Sequence, residues 1–236
     1  TVIVVQGGKF GERWAEICRA YGLSVLSVDV PYGKSVEPAS VAGALRRTPE
    51  SKAVFVTQSE TSTGAIHDVQ ALAGIVRGTD ALLVVDAITS LGVMDLPMDA
   101  WGVDVVVAGS QKALMLPPGL AFAALSDKAW RRVPDARLPK FYFDFAKERK
   151  AIAGNQSAYT PAVSLVVGLR ESLRLILTEG LPSVFARHDR LACATRAGVQ
   201  ALGLELFAEV PGPACTAVKA PAGIDGGDIV KGIRKR

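Results

Sequence analysis

Asp86 follows the apolar run "ALLVV", and Lys112 follows "VDVVVA" inside "GSQKALMLPPG". A Gly-Ser-Gln turn on one side and a double proline on the other hold that lysine more firmly than a surface lysine needs. An amine that must be fixed and aimed at a ligand does need such a setting. Two more apolar runs end in polar groups: "VIVV" leads into "QGGKFGER", and "AVFVT" into "QSETSTG". Together the four exits offer an aromatic ring (Phe10), hydroxyls (Thr61, Ser62, Thr63), a carboxylate (Asp86) and an amine (Lys112). Ligands of parallel α/β sheets bind outside the carboxyl ends of the strands. All four exits share that edge if the strands run parallel.

The carboxylate and the amine admit two readings. One is a buried salt bridge, which costs desolvation and often contributes little. The other is a site for pyridoxal 5'-phosphate, which needs a lysine for a Schiff base and an acid beside its pyridine nitrogen. The acid keeps that nitrogen protonated, so the ring can accept electrons. An aromatic stacks on the ring, and a hydroxyl bonds its phenolic oxygen. Phe10, Thr61, Asp86 and Lys112 have the types for those four roles, but their spacing leaves both readings open.

The elements that must position these groups alternate along the chain. Strands are expected at 2–5, 24–28, 53–57, 81–85, 103–108 and 120–125, and helices at 11–22, 38–47 and 68–77. Trp14, Ile17, Cys18 and Tyr21 define the expected buried face of the first helix. Several strands are apolar throughout, the pattern of a sheet covered on both faces, hence mostly parallel with helix crossovers. The pattern predicts a three-layer α/β/α fold. Long helices follow at 161–180, with Leu165, Leu169, Leu173 and Ile176 on one face, and at 181–203. "LELF" and "CTAVKA" read as short strands, and a helix starts near Asp225. Residues 1–180 are therefore expected to form a large domain ending in a bridging helix. Residues 181–236 begin a smaller, truncated α+β domain.

Composition narrows the function classes. The chain has 236 residues, 49% of them hydrophobic and 21% charged, enough for a sizeable core. The net charge is +4, yet the basic residues cluster only in the terminal "KGIRKR", and aromatics do not interleave with them. Nucleic acid is not an expected partner. Cys18, Cys193 and Cys215 lie far apart, which fits reduced thiols and a cytoplasmic location. No apolar run reaches the roughly 18 residues of a membrane span, and no signal peptide is visible, so no membrane partner is expected. The chain opens directly in a strand, without Met, and stops in what reads as mid-helix. Both ends are expected to be missing.

The segments "SETSTG", "LLVVDAITSLG" and "GSQKALMLPPG" resemble the class V aminotransferases of fold type I, nearest to the alanine–glyoxylate and serine–pyruvate or serine–glyoxylate branch. "GKFGERWAEICRAYG" and "YTPAVSLVVGLRESL" extend the likeness over nearly the whole chain. The 26-residue separation of Asp86 and Lys112 is the one this family shows. The resemblance implies pyridoxal 5'-phosphate as cofactor and transamination between alanine or serine and glyoxylate or pyruvate. It implies that Lys112 forms the internal aldimine and then moves the substrate proton, with partial burial and a cationic neighbour lowering its pKa. Asp86 would pair with the pyridinium nitrogen, and Thr61 with the ring oxygen. Phe10 and Ile88 would flank the ring, and Gln111 would bond the phosphate. Tyr159 and Thr160 would reach the phosphate of a neighbouring subunit, which implies a homodimer with shared sites. Relatives also carry a Gly-rich phosphate loop upstream and an arginine near the C-terminus for the substrate carboxylate. Neither is among these residues, so the chain as it stands is expected to bind the cofactor weakly.

Other features read as ordinary structure. His67 and His188 lack ligand spacing and are expected in surface or capping roles. Cys193 is expected in the core. "GIDGGD" reads as a loop with an N-cap, and "KERK" as a solvated helix end. "GGKFG" lacks dinucleotide-binding spacing. A cysteine desulfurase or related lyase would share the fold, but those enzymes usually carry His before the lysine, where this chain has Gln111. A phosphonate aminotransferase is a nearer alternative. A non-catalytic structural subunit of the same fold is the alternative from another class.

Overall fold

The computed structural model describes residues 1–235. Six strands form one sheet in the order β2-β1-β3-β6-β7-β8: β1 (Val2–Gln6), β2 (Val25–Asp29), β3 (Ala53–Thr57), β6 (Leu82–Asp86), β7 (Val105–Gly109) and β8 (Ala121–Leu125). A separate hairpin pairs β4 (Ser59–Glu60) with β5 (Ala65–Ile66). The first five sheet strands are parallel, and β8 is antiparallel to β7. Each strand of this sheet lies within two residues of its expected place.

The strand side chains alternate between two cores, as pleating requires. Ile3, Val5, Val54, Val56, Leu83 and Val85 face one core, with α2 (Pro38–Arg47) and α3 (Val69–Val76) packed on it. Val2, Val4, Ala53 and Val84 face the other, under α1 (Lys9–Ala20). Each fully buried Val, Leu or Ile contributes roughly 1.5–3 kcal/mol, offset by the chain entropy lost on ordering. Helices on both faces make the expected three layers. The short α4 (Met98–Trp101) adds to the first core.

The buried face of α1 departs from expectation. Gly11, Ala15 and Cys18 are buried and Trp14 is half-buried, while Ile17 and Tyr21 are exposed. The helix lies too close to the sheet for large residues at every inward position. A Cβ on Gly11 would sit 2.6 Å from the Val5 carbonyl oxygen.

Beyond β8, Ser126 caps α5 (Asp127–Arg132), and Asp144 caps α6 (Phe145–Ala153), which contains no buried residue. The "KERK" run is solvated, as expected, but lies in the middle of that helix rather than at its end. The long helices are α7 (Val163–Glu179) and α8 (Leu181–Ala201). Ile176 and Val184 meet Leu114, with Leu169 packed beside them. Leu173 is exposed instead of inward. Its neighbour Ser172 takes the buried place and donates a hydrogen bond to the Leu114 carbonyl at 2.6 Å. Cys193 is also exposed, because Ala192 is the buried residue of that turn.

The two short strands expected near the end meet only as an isolated bridge, Leu206 to Val218. Phe207 N–H donates to Ala217 O and Lys219 N–H to Glu205 O across that bridge, while the stretch between the two segments bonds back to the hairpin. Ile66 N–H donates to Val210 O, and Gly212 N–H to Gly64 O. Arg196 donates to the carbonyls of Pro211 and Gly212. Asp225 caps α9 (Gly226–Arg234), as the loop-and-cap reading expects. Among the described residues, no helix is long and apolar enough to cross a membrane.

Candidate active site

The order β1-β3-β6-β7 sets the four polar strand exits side by side on one edge. The register pairs Thr57 with Asp86, so β3 and β6 end level. Leu82, Val84 and Asp86 alternate onto the face that α1 covers. Asp86 is therefore the polar end of an apolar row. It is 6% exposed. Its Oδ1 accepts from the Ile88 N–H at 2.9 Å, and its Oδ2 from the Trp14 indole N–H at 2.9 Å. Burial raises the Asp86 pKa above the ordinary carboxylate value, the two donors oppose that shift, and nearby Glu60 adds to it. Each oxygen still has a lone pair to offer.

Glu60 ties two exits together. It is fully buried and accepts from the Gly11 N–H at 3.0 Å, the Phe10 N–H at 3.3 Å, and the Ser62 N–H and hydroxyl. Gly8, at the start of α1, has no capping side chain. Glu60 therefore satisfies free N–H groups of that helix from across the sheet edge. Close contact leaves no room for a side chain at Gly8, whose Cβ would meet Glu60 and Ser62 at 2.4–2.5 Å. Phe10 is half-buried at this junction and stacks with the Arg13 guanidinium, 5.2 Å from the ring centre. The Thr61 hydroxyl shares a 2.6 Å hydrogen bond with the Thr89 hydroxyl, joining the exits of β3 and β6.

The turn after β7 is tied at both ends. The Ser110 hydroxyl donates to Pro117 O at 2.8 Å and accepts from the Leu120 N–H at 3.2 Å. Ser172 of α7 bonds Leu114 O. Met115 lies between them with a φ of 59°, a region that L side chains rarely adopt. Lys112 and Gln111 are both exposed in the single chain, so the expected partial burial of the lysine is not seen. Within the turn Leu114 packs inward against Ile176 and Val184, while Gln111, Lys112 and Met115 stay exposed. Gln111 folds back over Gly109.

Phe10, Thr61, Asp86, Ile88, Gln111 and Lys112 thus stand on one edge. Tyr159 and Thr160 do not join them. Tyr159 stacks on Tyr142 at 4.5 Å and donates its hydroxyl proton to Phe141 O at 2.8 Å, in an exposed aromatic group with Phe143. Three neighbours of these residues escaped the sequence reading: Glu60, Trp14 as a donor to Asp86, and Cys215. The Cys215 thiol lies 3.9 Å from Thr61 O, and burial raises its pKa while Lys112 lowers it. His67 is buried rather than superficial. Its Nδ1 accepts from the Val36 N–H at 3.0 Å.

A doubly wound sheet with an acid, hydroxyls and a lysine along its carboxyl edge places these groups where open α/β sheets bind their ligands. Residues 1–231 match the family described as Aminotransferase class-V, and the chain belongs to that family. It is 46% identical over 240 residues to the "Soluble hydrogenase, small subunit" of a Synechococcus strain, covering 100% of this chain and 62% of that protein. It is 41% identical to the "L-aspartate--glyoxylate aminotransferase" of Paracoccus denitrificans, covering 97% and 60%. The crystal structure of the alanine–glyoxylate aminotransferase from Nostoc superposes with a TM-score of 0.93 at 30% identity, covering 98% of this chain and 62% of that one. The chain therefore spans about three fifths of the length of these relatives.

Proposed function

We propose that this chain forms the greater part of a pyridoxal 5'-phosphate-dependent aminotransferase. It moves an amino group between a small L-amino acid, alanine or serine, and glyoxylate or pyruvate. The observation that carries this reading is Asp86. It is a buried carboxylate fixed by two donors, with lone pairs to spare, on the same sheet edge as Thr61, Phe10 and Lys112. That donor set fits the cofactor. When bound, the cofactor supplies an electron sink for the substrate's Cα–H electrons.

The residues of the chain do the rest. Asp86 would hold the proton on the ring nitrogen. The Thr61 hydroxyl would bond the phenolic oxygen, and Phe10 and Ile88 would flank the ring. Gln111 would bond the phosphate. Lys112 would be the amine that anchors the cofactor and the base that takes up the substrate Cα proton. Its exposed side chain leaves it room to do both. Tyr159 and Thr160 complete the phosphate site of a partner subunit in a homodimer. Their exposed aromatic cluster, with Phe141 and Phe143 at 74% and 85% exposure, supports that role. Residues 1–180 form the cofactor domain and 181–236 open a smaller one. We place the protein in the cytoplasm.

Glyoxylate stands in the names of the Paracoccus and Nostoc proteins, while their amino donors differ. The acceptor is therefore the better supported half of the reaction. A sulfur-transferring lyase needs a low-pKa thiol, whereas Cys215 is shifted the other way by burial. One observation favours a second reading, a subunit without catalysis of its own: the Synechococcus relative is named as a hydrogenase subunit. Borohydride reduction of the full-length protein loaded with the cofactor separates the two. Expected is a permanent label on the Lys112 peptide, lost in Lys112→Ala, and amino transfer to glyoxylate in a screen of donors. A protein that takes no cofactor, or a Lys112→Ala variant with the wild-type rate, refutes the enzyme reading.

A further inference from the structure

The Asp86 carboxylate sits at the end of a buried apolar row, where charge is costly. The Ile88 N–H comes from its own turn. The second donor comes from another element altogether. Trp14 lies on α1 four residues after Phe10, so both project from one helix face. Phe10 reaches the sheet edge, and Trp14 lies one turn further along α1. Its ring rests on Phe55 at 5.2 Å, in the layer that contains Val84 and Val105. A phenylalanine could pack in that layer too, but it would present no N–H donor there. A half-buried indole N–H needs an acceptor, and this one has Asp86 Oδ2 at 2.9 Å.

We propose that Trp14 is a positioning residue for Asp86. Its N–H fixes the rotation of the carboxylate and keeps it charged, ready to hold the ring proton of the cofactor. The inference rests on the cofactor reading of the site. With Ile88 holding Oδ1 and Trp14 holding Oδ2, the carboxylate plane is set from two independent elements. Rotation about its last bond would break both contacts. The charged neighbour acting on Asp86 is Glu60 of β4, which disfavours its ionisation. Lys112, on the turn after β7, is exposed. The two N–H donors are therefore the groups that favour the ionised form.

The test is Trp14→Phe in the full-length protein, which keeps the ring packing and removes the donor. If phenylalanine loosens the fold, site-specific benzothienylalanine at position 14 keeps the bicyclic ring and replaces the N–H with sulfur. The first readout needs no cofactor: the titration of the Asp86 carboxyl carbon by NMR in the apo protein. Loss of a donor to the charged form raises the midpoint, by about one unit for a tenfold bias. The second readout is the pyridoxal 5'-phosphate dissociation constant, expected to rise about tenfold, as loss of a charge-assisted hydrogen bond implies. An Asp86 midpoint that stays within 0.3 unit (about twofold in equilibrium constant) overturns the proposal. So does unchanged cofactor affinity in a variant that does titrate differently. A raised midpoint in a protein that binds no cofactor, wild type included, supports the Trp14 contact and refutes the reading of the site instead.

Discussion

Glu60 offers the sharpest test of how the site is built. It is fully buried, and it holds the start of α1 against the loop that carries Thr61. Glu60→Ala removes the acceptor of the buried Gly11 N–H, which costs about 1–3 kcal/mol. Loss of a carboxylate at the helix N-terminus adds about 0.3–1 kcal/mol. The space left by the side chain adds about 1–2 kcal/mol before the neighbours relax. The expected loss is about 2–6 kcal/mol. Glu60→Gln keeps one oxygen and the volume, so it forfeits about half of that, since its NH2 group faces one of the N–H donors. Urea unfolding of both variants beside wild type, read by far-UV circular dichroism, gives the numbers. An alanine variant within about 0.5 kcal/mol of wild type, the scatter of a neutral surface change, would show that the α1 N-terminus does not depend on this contact.

Two further outcomes follow from the same region. Burial lowers the His67 pKa from 6.5 to about 4, with Glu60 opposing. The unfolded chain therefore takes up a proton that the folded one refuses, and stability falls as pH drops from about 6.5 toward 4, by roughly 3 kcal/mol at 1.36 per unit. Urea midpoints at pH 7 and pH 5 should diverge less in His67→Gln than in wild type; equal divergence refutes the assignment. Met115→Gly relieves the positive φ and should leave stability unchanged or raised by up to about 1 kcal/mol, whereas Met115→Val should lower it by more than about 1 kcal/mol. The reverse order in thermal melts would show that the turn adjusts to the side chain.

The sheet was legible because its signal is simple. Runs such as "VIVV" and "ALLVV" carry the strands, and their polar exits fall on one edge once the strands are parallel. What escaped depends on small residues and on contacts distant in sequence. The apolar pattern of α1 points to Ile17 and Tyr21, but the close approach is made by Gly11 and Ala15, which hydrophobicity ranks low. Ser172 displaces Leu173 from the interior because a hydrogen bond to Leu114 O decides the facing of α7. Glu60 sits in "SETSTG" among residues singled out for their hydroxyls. Only the fold reveals that its partners are 49 and 50 residues away. Trp14 was read as core, and it is half that; the other half is the N–H on Asp86. For indoles and acids near a strand exit, an amphipathic pattern reports burial and leaves out the polar atom.

The turn that carries Lys112 is pinned by Ser110 on one side and by Ser172 on the other, with its amine left outside. The backbone there behaves as a bracket, and the four methylenes as a swinging arm. A group that releases one bonding partner and serves another a few ångströms away can do so by rotamer changes alone, in the time a side chain takes to flip.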